Sequence, residues 1–157
     1  MRRFGFAILI VILLFSLCSC TDYAHKDLVL SDLPDYINKE YHTSGAFQDF
    51  TDYAKYTYNS VTAETLKSSK YFTEVSSEDI EEILLHIDNF EKWVKINEEI
   101  KENYDFDKSI VTAGDFFYIK TKFGEPIGQE TYGKFDNYSV YYFDIDTQTL
   151  YYFHNNI

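Results

Sequence analysis

Arginine occurs only as Arg2 and Arg3, and cysteine only as Cys18 and Cys20. Beyond residue 20 the chain therefore has no guanidinium fork for bidentate recognition of phosphates or carboxylates. It also has no thiol there for a disulfide, a metal or nucleophilic catalysis. Two prolines and six glycines leave no Gly/Ser/Pro linker, no low-complexity tract and no repeat, which points to a single domain. The nucleophile elbow Gly-x-Ser-x-Gly, a Gly-rich phosphate loop and the His-Glu-x-x-His zinc spacing are all missing.

What is present is acid and aromatic. Asp plus Glu number 26 against 14 Lys plus Arg, a net charge of −12. Without the first nineteen residues, twelve Lys face the 26 acids and the net is −14. A surface of that sign repels nucleic-acid backbones and excludes nucleic acid as a partner. Aromatic residues make up 19% and apolar residues 45% of the chain, a composition that folds rather than staying disordered.

The hydrophobic run Gly5 to Leu17 follows Arg2-Arg3 and is 13 residues long. A membrane-spanning helix needs about 20 apolar residues, so this length fits a signal-peptide core. The run ends in Leu17-Cys18-Ser19-Cys20, which resembles the lipobox of bacterial lipoproteins: Leu, a variable residue, a small residue, then Cys. The resemblance implies cleavage between Ser19 and Cys20 and diacylglycerol on the Cys20 sulfur. It also implies a domain tethered to the bacterial cell membrane on its extracytoplasmic side. Two acyl chains hold a protein on a bilayer, whereas one is marginal. Residues 1–19 are thus expected to be a signal peptide, 20–42 the lipidated cysteine and an irregular tether, and 43–157 one domain.

Within that domain the expected fold class is α+β, with N-terminal helices packed on a small C-terminal antiparallel sheet of three or slightly more strands. Phe47, Phe50, Ala54 and Tyr58 recur at helical spacing and suggest a helix over about 44–58. A short helix over 62–69 has Thr62 as its cap. Ser76-Ser77-Glu78-Asp79-Ile80 reads as a capping box, with Val75 and Ile80 as the hydrophobic staple. The helix it opens carries a stripe of Ile80, Ile83, Leu84, Ile87, Phe90 or Glu91, and Val94, with a break expected at Asp88-Asn89 as the alternative to one continuous helix. Strands are expected at 115–122, 138–144 and 150–154, rich in aromatic and β-branched residues. The C-terminal run from Tyr138 to Asn156 and the bias toward Lys, Asn, Ile, Tyr and Phe resemble small lipoproteins of low-GC Gram-positive bacteria. That likeness implies an address and no activity.

No catalytic set, metal site or cofactor is singled out. Of the four His, His86 borders the apolar helix stripe, where a boundary residue is the simpler reading than a ligand. His154 ends a strand, expected beside a Tyr or Asp partner. Asp105/Asp107 and Asp144/Asp146 are Asp-x-Asp pairs; such pairs serve turns more often than divalent cations, which need six to eight oxygens. Trp93 reads as core rather than as a sugar platform. The clustered helix acids read as solvated charge rather than as a two-carboxylate glycosidase site.

The candidate binding surface is therefore the Tyr-rich meander: Tyr138, Tyr141, Tyr142, Tyr151, Tyr152 and His154. A tyrosine suits a half-wet surface because its ring packs while its hydroxyl stays hydrated. The leading reading is a non-enzymatic binding module for an extracytoplasmic protein or cell-wall ligand. Two alternatives remain open: a small envelope hydrolase using His154, and an immunity or inhibitor protein for a basic partner.

Overall fold

A computed structural model describes residues 27–45 and 49–157. Ser19, Cys20 and the hydrophobic run lie outside these residues. The chain divides into two units, Met1–Ser31 and Asp32–Ile157. Of the first, only Asp27 to Ser31 are described: the Asp27 carboxylate accepts from Val29 N and Leu30 N at 2.9 and 3.3 Å, a tight local turn. No helix among the described residues is long and apolar enough to cross a membrane.

The second unit is built on strands β1 (Asn38–Ser44), β2 (Phe50–Thr57), β3 (Thr73–Glu74), β4 (Phe116–Thr121), β7 (Asn137–Asp144) and β8 (Thr149–Asn156). These form one antiparallel sheet in the order β1-β2-β8-β7-β4-β3. A separate hairpin pairs β5 (Pro126–Ile127) with β6 (Glu130–Thr131). Three α-helices are present among the described residues: α1 (Ala63–Ser68), α2 (Asp79–Val94) and α3 (Glu98–Lys101). The expected arrangement of several N-terminal helices on a three-stranded sheet is thus overturned. The sheet has six strands, and among the described residues only α2 is a long helix.

The difference lies in residues 44–58. The spacing of Phe50, Ala54 and Tyr58 suggested a helix, yet β1 and β2 form a hairpin there. β2 is an interior strand, and Thr51 to Ala54 are buried in succession. A strand buried on both faces has no polar alternation, so its sequence mimics an apolar helix stripe. Gly45 marks where the strand ends. Its φ is +96°, and a Cβ there would fall 2.1 Å from the Asp49 carbonyl oxygen, so only glycine fits the turn. β1 reaches back to Asn38, so part of the segment expected as a tether is sheet.

The other local signals hold in part: α2 begins at Asp79 with Glu78, not Ser76, at its cap position and no side-chain cap bond. Thr62 caps α1 by accepting from Thr65 N at 3.2 Å. Asp79 Oδ2 reaches back to Ser76 N at 2.9 Å and Ser76 Oγ at 2.5 Å, the carboxylate half of a capping box, and these bonds hold Asp79 below its ordinary pKa. Val75 is buried and Ile80 packs against the core. α2 runs without a break through Asp88-Asn89 to Val94. β4, β7 and β8 are neighbours, as the meander reading required.

The core lies between α2 and one face of the sheet. Ile83, Ile87, Phe90 and Val94 of α2 meet Tyr53, Tyr138, Val140, Tyr142 and Phe153 of the strands, with Ile100 and Phe106 closing one end. The other face of the sheet is partly covered by the β2–β3 connection. Tyr58, Val61, Leu66 and Phe72 are buried, and the Tyr58 ring lies 5.6 Å from Phe143.

Candidate functional site

The pleat divides the six predicted surface residues between two faces. Tyr138, Tyr142 and Tyr151 point toward the helices. Tyr138 is 1% exposed and donates to the His86 carbonyl at 2.9 Å. Tyr142 is fully buried; its hydroxyl donates to the Ile110 carbonyl at 2.8 Å and contacts the Asp115 carboxylate. Burial first, and that carboxylate second, raise the Tyr142 phenol. Tyr151 packs edge-on against Phe106 at 4.8 Å. These three rings are core and part of its boundary, because a six-stranded sheet has an interior that three strands alone would not enclose.

Tyr141, Tyr152 and His154 lie on the opposite face. Register places residues in rows across the strands, with directly opposed residues sharing a face. One row reads Tyr41, Ala54, Tyr152, Tyr141, Tyr118. The next reads Thr43, Asp52, His154, Ser139, Lys120. Ring contacts link them into one aromatic path. Tyr71 meets Tyr118 at 5.3 Å, Tyr118 meets Tyr141 at 5.9 Å, and Tyr141 meets Tyr152 at 4.9 Å. Tyr152 lies 6.0 Å from His154, whose ring stacks on Phe50 at 5.1 Å. Tyr41 is 44% exposed, Tyr152, His154, Tyr118 and Phe50 are half-buried, and Tyr141 is buried.

Asp52, Ser139 and Tyr41 were not foreseen in this surface. Their signal is the cross-strand register, which no linear spacing displays. His154 was expected beside Tyr or Asp; its Nδ1 instead meets Ser139 Oγ at 2.8 Å. Ser139, His154 and Asp52 have the composition of an acyl-transfer relay, but the relay is not assembled. Ser139 is 5% exposed, and among the described residues no hydrogen bond joins Asp52 to the imidazole. Asp52 instead hydrogen-bonds the Tyr41 hydroxyl. Burial, and then this carboxylate, push the Tyr41 phenol up to about 12. What the face offers is ring surface with a carboxylate, an imidazole and a hydroxyl beside it.

Of the Asp-x-Asp pairs, Asp144 is engaged within its own turn and Asp105 by side chains of β2. Asp144 accepts from Asp146 N, Thr147 N and Thr147 Oγ1 at 3.0, 3.1 and 2.7 Å, building the β7–β8 turn. Asp105 accepts from Tyr53 at 2.8 Å and from Lys55 at 2.6 Å. Burial would raise Asp105, but these bonds outweigh it and hold the carboxyl below its ordinary value. Among the described residues no group of three or more His, Cys, Asp or Glu is placed to hold a metal ion. Trp93 is half-buried and lines a small pocket of ≈ 130 Å³ with Phe50, Ile96 and Asn155.

His86 is buried, not at the boundary. It is 2% exposed, with Nδ1 2.9 Å from the Glu82 carbonyl and 3.3 Å from the Glu82 carboxylate. Its ring also borders an open cleft of ≈ 560 Å³ with Phe117, Ile119 and Lys134. Burial lowers the His86 pKa from 6.5, partly opposed by Glu82 and aided by Lys134. The folded state therefore binds fewer protons than the unfolded chain below pH 6.5, and stability falls as the pH drops from 6.5 toward the lower folded-state value. His86→Gln is expected to remove that component. The check is urea denaturation at about pH 7.5 and about pH 5.5: the wild type should lose more stability between them than the variant. Equal losses would show that His86 does not carry the dependence.

Comparison with protein-family models, with curated proteins and with solved structures returns no match.

Proposed function

We propose that this chain is a lipid-anchored binding module of the bacterial cell envelope. It is held in the cell membrane by diacylglycerol on Cys20, and the sheet face opposite α2 takes an extracytoplasmic ligand, either a protein or a cell-wall component. The observation that carries the binding half is the aromatic path from Tyr71 through Tyr118, Tyr141 and Tyr152 to His154 and Phe50. It lies on one face while the other face supplies the core. Rings at this density beside Asp52 and Ser139 suit a ligand with both apolar and hydrogen-bonding edges. The anchoring half rests on Leu17-Cys18-Ser19-Cys20. The negative net charge supports a domain that stands off an anionic lipid surface. The hydrolase reading has less behind it, because Ser139 is buried and Asp52 is turned to Tyr41.

Two measurements test the two halves separately. Cys20→Ser should move the protein from the membrane fraction to the soluble fraction or leave the precursor uncut; wild-type fractionation of this variant would refute the anchor. For binding, the full chain in detergent is sedimented with isolated cell walls and with envelope proteins. The double variant Tyr118→Ala, Tyr152→Ala is expected to lose at least about tenfold in affinity, since stacked aromatic anchors each contribute on the order of 1 kcal/mol or more. Undiminished binding would remove this face as the site.

A further inference from the structure

Asp52 sits on the interior strand β2 and is 5% exposed. Its Oδ1 has no hydrogen-bond partner among the described residues. No Lys of the described residues lies within ion-pair distance of its carboxylate. A buried carboxylate oxygen left without a donor is rare in native proteins and costs more than one ordinary hydrogen bond returns. The oxygen therefore calls for a donor that the described residues do not provide.

The surroundings say which donor. Asp52 lies directly opposite Thr43 on β1 and His154 on β8. Tyr41 hydrogen-bonds its carboxylate. Phe50 is two residues away on the same face of the strand and stacks on His154, and Tyr152 is the diagonal neighbour on β8. A single negative charge thus lies among aromatic rings, in a chain with a net of −12. Aromatic faces attract cations electrostatically, and the field of an acidic domain concentrates them. An uncharged hydroxyl donor would leave the carboxylate charge unpaired. A quaternary ammonium would match the charge but brings no N–H to the oxygen.

We propose that Asp52, framed by Tyr41, Phe50, Tyr152 and His154, is the anchor of a site for a primary ammonium group of the ligand. The inference rests on the reading of this face as the binding surface and specifies the chemistry of the group it takes. One N–H of the ammonium donates to Asp52 Oδ1, and the adjoining methylenes lie against the rings. Tyr41 is the exposed wall, on the edge strand β1.

The test uses the full chain in detergent, titrated calorimetrically with n-butylammonium chloride. Tetramethylammonium chloride and n-butanol, at matched ionic strength, are the comparison probes. Saturable binding of butylammonium is expected, with the other two binding at least tenfold more weakly. Asp52→Asn keeps the shape of the side chain and removes its charge, and should reduce butylammonium affinity at least tenfold. If that variant fails to fold, Tyr152→Ala is read in its place, with a several-fold loss expected. Equal binding of all three probes, unchanged affinity in Asp52→Asn, or no binding at all would overturn the proposal; the last would leave Oδ1 to a bound water. Cell-wall and envelope-protein binding lost in the Tyr118/Tyr152 double variant but unaffected by butylammonium would defeat the ammonium site alone. The binding face itself fails only if that double variant binds normally.

Discussion

Phe153→Ala is expected to destabilise the protein by about 3–5 kcal/mol, the range for a buried Phe truncated to Ala. Phe153 is fully buried at the centre of β8, opposite Tyr53 on β2 and Val140 on β7. Its ring contacts Phe106 at 4.9 Å, Phe90 at 5.4 Å and Tyr53 at 5.7 Å. It therefore joins α2, the segment after α3 and the two central strands. Small domains have only about 5–15 kcal/mol to lose, so this single change consumes a large part of it. Urea unfolding followed by far-UV circular dichroism measures the loss as a lower midpoint at unchanged slope. A loss below about 1 kcal/mol would mean that the core is not arranged around this ring.

Asp115→Ala is expected to cost about 3 kcal/mol, because hydrogen bonds to a charged group contribute about 1.5–3 kcal/mol and orphaned donors add to the loss. Asp115 is 5% exposed at the start of β4. Oδ1 accepts from Ile145 N at 3.0 Å, and Oδ2 accepts from Thr112 Oγ1 at 3.0 Å and from the Tyr142 hydroxyl. Its own carbonyl accepts from Val75 N at 2.7 Å. One carboxylate thus ties the β7–β8 turn, the loop before β4 and a core tyrosine together. Asp115→Asn retains an acceptor for Ile145 and should lose roughly half as much as Ala. Equal losses for Asn and Ala would show that the charge, not the bonding pattern, is what the fold uses.

The strands β4, β7 and β8 and the helix α2 were legible because their causes are local. Tyr138 to Asp144 and Leu150 to His154 are dense in residues that favour a pleated surface. Ser76 and Asp79 sit at capping-box spacing, and a staple of Val75 and Ile80 brackets them. β1 and β2 were not legible. Phe50, Ala54 and Tyr58 fit a helical stripe, and nothing between residues 44 and 58 records that β8 will lie alongside β2. The candidate site was half legible. Tyr141, Tyr152 and His154 were found from composition, but Tyr138, Tyr142 and Tyr151 came with them, since a strand buried on both faces carries tyrosine on both. Asp52 and Ser139 were missed because they reach His154 only through the pairing of three strands.

Sequence alone determined the absence of thiol and guanidinium chemistry beyond residue 20, the strongly negative charge, the lipobox pattern and the elements with local caps or turns. These depend on residue identity and on neighbours a few positions away. The tertiary structure alone decided which tyrosines are core and which face outward, that two of the strands are not a helix, and that Asp52, His154 and Ser139 share one row. Those outcomes depend on register. A strand has two faces, and only its partners in the sheet decide which face is covered.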